Sequence, residues 1–172
     1  MIDIIAVNIK RGGGLVLLKL LISEMINKKI NSTIHLSRNI DFTEFDENPY
    51  VKFKTYTSFF SKIMVFGKGF TRALYFGNLP PFFLRGSNNY LYFHNPFYLK
   101  PYKILFRERH WKFIFQKLYI FFLIKNVKSV FVQTKSVSES FKRNFGIEPV
   151  IAPFFQDLSC FYNDEKIINY DF

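Results

Sequence analysis

Three short motifs carry the residue types that chemistry needs: Arg11-Gly12-Gly13-Gly14, Phe93-His94-Asn95-Pro96 and Val132-Gln133-Thr134. Each follows a short apolar run that reads as a strand. In an open α/β sheet, ligands bind outside the carboxyl ends of the strands, so the three motifs are expected to line one crevice. Gly12, Gly13 and Gly14 have two readings. A glycine run between strand and helix lets a phosphate or sugar approach the backbone N–H groups of the helix start. Equally, a tight turn there needs small residues. His94 is the only histidine expected at a strand end beside a loop, since His35 falls within a strand and His110 at a helix start. Its imidazole could hydrogen-bond a substrate hydroxyl or phosphate. A lone histidine also serves purely structural ends. Asn95, Gln133 and Thr134 add amide and hydroxyl groups to the same expected crevice.

Several chemistries lack their residues. A dinucleotide-binding fingerprint needs G-x-G-x-x-G and an acid ending the second strand; His35 and Ser37 stand there instead. There is no P-loop sequence and no G-x-S-x-G elbow. No His/Asp/Glu cluster has metal-ligand spacing, so no metal site is expected. Cys160 is the single cysteine, which excludes an internal disulfide and a multi-cysteine metal site.

The elements that must position these motifs alternate between strand and helix patterns. Residues 2–9 read as a buried strand, broken by the three glycines. Residues 15–28 read as a largely buried helix with Lys19, Ser23 and Asn27 on one polar face and a Glu24–Lys28 pair at i, i+4. Residues 32–37 read as a second strand, 41–49 as an acidic loop and 50–56 as a third strand. One long helix is expected over 58–76, weakened at Gly67 and Gly69, then a strand over 89–94. Two prolines and dense charge predict a long loop over 95–109. A helix over 110–126 and a strand over 129–133 follow. Ser136-Val137-Ser138-Glu139 reads as a capping box, with Val137, Phe141 and Phe145 on one helix face and Gly146 as a left-handed cap. Residues 150–152 form a last short strand. Strands alternating with helices predict an α/β domain with a mostly parallel sheet.

Composition bounds the partners. The chain has 172 residues, 49% of them hydrophobic and 20% aromatic, enough for one domain with a core. The 24 phenylalanines, with many Lys, Ile and Asn, also fit an AT-rich genome, so they are not read one by one as functional. A net charge of +11 favours anionic partners: nucleic acid, phospholipid headgroups or phosphorylated ligands. Nucleic acid is the least supported, because no helix-turn-helix, zinc or RNP-type motif accompanies the charge. No basic signal region opens the chain, and the most apolar stretch, 113–124, is shorter than the ~20 residues of a spanning helix. The expected location is the cytosol, with contact to the inner face of the cell membrane left open. Lys100, Lys103, Arg107, Arg109, Lys112 and Lys117, interleaved with Tyr102, Phe106 and Trp111, read either as an anionic-membrane face, with Lys103, Arg107 and Trp111 at its centre, or as a solvated basic face beside a buried helix.

In order and placement these motifs resemble the N-terminal domain of a GT-B glycosyltransferase of the large retaining family 4 type. The matching pieces are the strand leading to Gly12-Gly13-Gly14 and its apolar helix, the run Tyr90 to Pro96, the run Ser129 to Ser136, and Gly146 to Phe154. The resemblance covers residues 1 to about 157. It implies a Rossmann-like acceptor domain and transfer of a sugar from a nucleotide-sugar donor to a lipid-linked or polysaccharide acceptor in surface-polysaccharide synthesis, without a metal or other cofactor. His94 would lie near the reacting sugar. The glycines would face donor phosphate or acceptor, and Asn95, Gln133 and Thr134 would contact substrate. The family's donor domain has no counterpart here: residues 158–172 would be only its start. The chain alone is therefore expected to be inactive, with a donor-domain polypeptide in trans as the implied partner. The competing class is a non-enzymatic basic binding module at a membrane surface or on nucleic acid.

Overall fold

A parallel sheet of seven strands runs through the chain: β1 (Ile2–Ile5), β2 (Ser32–Ser37), β3 (Val51–Tyr56), β4 (Arg72–Phe76), β5 (Asn88–Phe93), β6 (Ser129–Val132) and β7 (Val150–Ile151). The computed structural model describes residues 1–37, 40–45, 48–83, 88–107 and 110–153. Cys160 and the expected start of a donor domain at 158–172 lie outside them. The helices are α1 (Gly13–Asn27), α2 (Phe59–Gly67), α3 (Tyr102–Arg107), α4 (Trp111–Leu123) and α5 (Lys135–Phe145). The strand order is β3-β2-β1-β4-β5-β6-β7. The chain steps outward from β1 to β3, returns through α2 to β4 beside β1, then steps outward the other way. Ile4 pairs with Ile34 on one side and Leu74 on the other. This is the Rossmann-like α/β architecture, and its strand order reverses between β1 and β4.

Each face of the sheet has its own core. On one face, Leu18, Ile22 and Met25 of α1 pack over Ile4, Ile34, Leu36, Phe76 and Tyr92. On the other, α2, α4 and α5 bring Val65, Phe66, Ile120, Phe141 and Phe145 onto Ile5, Tyr75, Leu91, Phe93 and Val130. β2 is buried along its whole length, including Ser32, Thr33, His35 and Ser37. His35 meets its polar needs sideways: Nε2 lies 2.9 Å from Asp3 Oδ1 and Nδ1 lies 2.8 Å from the Tyr56 hydroxyl.

Four expectations need correction. Residues 58–76 are not one helix. Ser58 caps α2 by accepting from the Ser61 N–H, α2 ends at Gly67, and β4 follows. β4 is paired on both sides, with β1 and β5, and that non-local pairing overrides the local helix pattern. Residues 95–109 are not a plain loop. Asn95 Oδ1 accepts from the Phe97 N–H and caps a 3-10 turn at Pro96–Leu99, and α3 follows. Ile9 lies outside the first strand, which stops at Ile5; a turn closed by Ile9 N–H to the Ala6 carbonyl follows. Finally, α1 is less covered than expected: only Leu18, Ile22 and Met25 are fully buried, and Val16 is exposed. Its polar face does form, with Lys19 bridged to Glu44 at 2.7 Å and Glu24 beside Lys28.

Candidate functional site

A cleft of about 1120 Å³ opens at the carboxyl edge of the sheet. Its walls come from the loops after β1, β4, β5 and β6, so it sits at the reversal of strand order, where open α/β sheets bind ligands. Gly13, Gly14, His94, Asn95 and Gln133 all line it. Those motifs are far apart in sequence and meet because parallel strands deliver every loop to the same edge.

The three glycines serve different ends. Gly12 has φ +70° and ψ −160° and caps the start of α1, a backbone region that essentially only glycine adopts and that costs a residue with a Cβ roughly 1–3 kcal/mol. A Cβ on Gly13 would meet nothing within 4 Å, so its backbone is open to the cleft. A Cβ on Gly14 would stand 2.8 Å from His94 Nε2 and 3.2 Å from Ile9 Cδ1. Gly14 is therefore the gap that the imidazole occupies.

Two asparagines lace the loops together. Asn8, after β1, donates its side-chain amide to the Gly77 carbonyl after β4. Its neighbour Asn78 is buried at φ +71° and accepts with Oδ1 from the N–H groups of both His94 and Asn95, at 2.8 and 2.9 Å. Asn78 thus supplies the acceptor that the chain leaving β5 cannot find in the sheet. Both residues escaped the sequence reading. The local signal at Gly77-Asn78 is that of a chain break after residue 76, which says nothing of the loops it ties together.

His94 rests against an aromatic wall, stacked at 5.7 Å on Phe76 and 6.3 Å on Tyr92. Burial pushes its pKa down to about 4, because an imidazolium there would lose its hydration. It is neutral at pH 7, which suits a hydrogen-bonding role rather than that of a proton carrier. Nδ1 is buried with no partner among the described residues, whereas Nε2 faces Gly14. An unpartnered buried donor costs more than an unpartnered acceptor. The stable tautomer therefore leaves Nδ1 bare and carries its proton on Nε2. Such a group donates one hydrogen bond and is a weak base.

The charge of the cleft comes from Lys10, Arg11 and Lys112, and no carboxylate is among its described lining residues. The N-terminus of α1, fifteen residues long, adds its positive dipole end. Gln133 is held by a side-chain hydrogen bond to Tyr92. Thr134 is elsewhere engaged: its Oγ1 accepts from the Val137 N–H at 3.3 Å and caps α5. The cap is thus Thr134 rather than Ser136, and Thr134 is not among the lining residues. Gly146 does take the left-handed cap, at φ 72°.

The residues read as a membrane face are divided by the fold. Lys103, Arg107, Lys112 and Trp111 are exposed. Lys117 is not: it is 3% exposed, and its Nζ donates to the Lys100 carbonyl at 2.7 Å and to Asn144 Oδ1 at 2.6 Å. Lys117 ties α4 to α5 and to the turn before α3, and leaves the surface patch. Arg109 and the side chain of Phe106 lie outside the described residues. No helix among them is long and apolar enough to cross a membrane. No family model, curated protein or solved structure matches the chain.

Proposed function

We propose that the domain is the acceptor half of a GT-B glycosyltransferase acting in surface-polysaccharide synthesis, and that its cleft binds a phosphorylated sugar ligand. The observation that carries this is the convergence of Gly13, Gly14, His94 and Gln133 on one cleft lined by Lys10, Arg11 and Lys112. A phosphate would meet lysine, arginine and open backbone N–H groups at a helix start. A sugar hydroxyl would meet His94 Nε2–H, Asn95 and Gln133. With its pKa depressed to about 4, His94 would orient the sugar and stabilise developing charge through a hydrogen bond, rather than take a proton. In this reading, donor binding and bond breaking take place against a second domain across the cleft.

The test titrates inorganic pyrophosphate and a short-chain isoprenyl pyrophosphate-linked sugar into isotope-labelled protein. Amide shifts concentrated at Gly13, Gly14, His94 and Gln133 are expected. Shifts elsewhere, or none, would reject the cleft. The isolated chain should show no turnover with nucleotide sugars, and a cognate donor domain added in trans should restore it. Turnover by these 172 residues alone would overturn the acceptor-domain assignment.

A further inference from the structure

The helix α4 is apolar on two opposite sides. Its inner side is buried through Ile114 and Ile120. Its outer side carries Trp111, Phe115, Leu118 and Phe122, which are 53%, 67%, 38% and 64% exposed. Their spacing of four, three and four residues makes one continuous stripe along the helix, about 17 Å long at ~1.5 Å per residue. Phe121, also exposed, widens it. A helix that is hydrophobic all round is normally covered all round, and a contiguous exposed patch marks an interaction surface.

A second set of exposed apolar residues lies on the same side of the sheet. α2 packs into the same core as α4, so both helices turn their outer sides away from the sheet in the same sense. There Phe59, Phe60 and Met64 are more than 70% exposed, with Phe83 beside them at 57%. The apolar groups are thus spread over two ridges of one side rather than gathered in one groove. That distribution suits a broad, fluid partner better than a single docked peptide.

Charge identifies the partner. Between Glu47 and Glu139 the sequence holds one acid, Glu108, while lysines and arginines recur throughout. Those residues build α2, α3 and α4. Lys103, Arg107, Lys112 and Lys125 are exposed around the stripe, and Lys125 follows Phe122 at i+3 on the outer side. Two copies meeting through this side would set cation against cation. An anionic bilayer complements both properties: aromatic side chains enter the interfacial layer, and lysines reach the headgroups over their aliphatic stems. We propose that the outer side of α4, with the exposed residues of α2, is the surface by which this chain docks on an anionic lipid bilayer. The inference does not rest on the transferase reading. Docking there would set Trp111 and Lys112, at the start of α4, near the membrane at the rim of the cleft.

Trp111 is the only tryptophan, so its fluorescence reports on this surface directly. The full chain is mixed with vesicles of phosphatidylcholine alone, or of phosphatidylcholine with phosphatidylglycerol. Blue-shifted Trp111 emission and co-sedimentation are expected with the anionic vesicles, weakening as salt rises. A basic residue near such a surface contributes about 1 kcal/mol, so Lys125→Gln should weaken partitioning about fivefold. Phe115→Ser with Phe122→Ser should abolish the emission shift while circular dichroism and the melting temperature stay near wild type, because both rings face outward. Unchanged emission and no sedimentation with anionic vesicles would overturn the proposal, as would wild-type binding by the double variant. So would a dimer in sedimentation velocity that the double variant dissolves. Failure here leaves the pyrophosphate titration untouched, and failure of that titration leaves this result untouched.

Discussion

His94, Gly14 and Asn78 form one unit: the asparagine fixes the backbone of His94, and the glycine leaves space for its ring. Gly14→Ala should therefore displace the imidazole and weaken pyrophosphate binding, whereas Gly13→Ala should leave stability within about 0.5 kcal/mol of wild type; urea unfolding and the titration together check this. Asn78→Ala should strand two backbone donors, each costing roughly 1–3 kcal/mol. It also keeps a Cβ at positive φ, so it should be about 1 kcal/mol less stable than Asn78→Gly. Equal stability of the two variants would mean the left-handed backbone is not maintained. The depressed pKa of His94 sets a pH dependence. The unfolded histidine takes up its proton near ~6.5, the folded one only near 4. Protonation thus favours unfolding, so stability is complete above the unfolded value and declines as pH falls through that window. His35, also lowered, chiefly by burial, acts in the same direction. The urea midpoint should drop between neutral pH and pH ~5, and His94→Gln should remove part of that drop.

At the scale of elements, caps and breaks decide where helices lie. Thr134 in extended conformation accepts from Val137, so Thr134→Ala should cost about 1 kcal/mol, while Ser136→Ala should cost almost nothing; thermal melts of the two variants distinguish them. The Ser136–Glu139 pattern satisfies the rule for a capping box, yet the strand before it ends at Val132 and hands the chain to α5 earlier. Lys117 shows a second element-scale effect. Helical spacing puts it on the inner side of α4, where a carbonyl and an amide oxygen replace its water and burial lowers its pKa. It is a joint between α4 and α5, and charge counting along the sequence cannot separate it from Lys112.

The whole molecule sets the electrostatics of the cleft. Lys10, Arg11 and Lys112 come from two segments about a hundred residues apart in sequence, brought together by the reversal of strand order. Because the three are exposed, Lys10→Glu with Arg11→Glu should leave the melting temperature near wild type. Pyrophosphate binding should be lost. Persistent binding at wild-type strength would move the anion site away from the Gly12–Gly14 loop.

What the sequence determined by itself was local and periodic. The alternation of strands and helices, the turn at Gly12, the left-handed cap at Gly146 and the Glu24–Lys28 pair are all written in neighbouring residues. The meeting of Gly14, His94 and Gln133 was legible too, because parallel strands bring all their carboxyl ends to one edge. Tertiary structure decided whatever depends on partners distant in sequence. β4 is a strand because β1 and β5 flank it, and Asn8 and Asn78 matter because Gly77 and His94 come within reach. Lys117 is buried because α5 covers it, whereas Phe115 and Phe122 are exposed because they lie on the side of α4 turned away from the sheet. Local patterning records which residues share a helix face, but only the packing of whole elements settles which face meets the core.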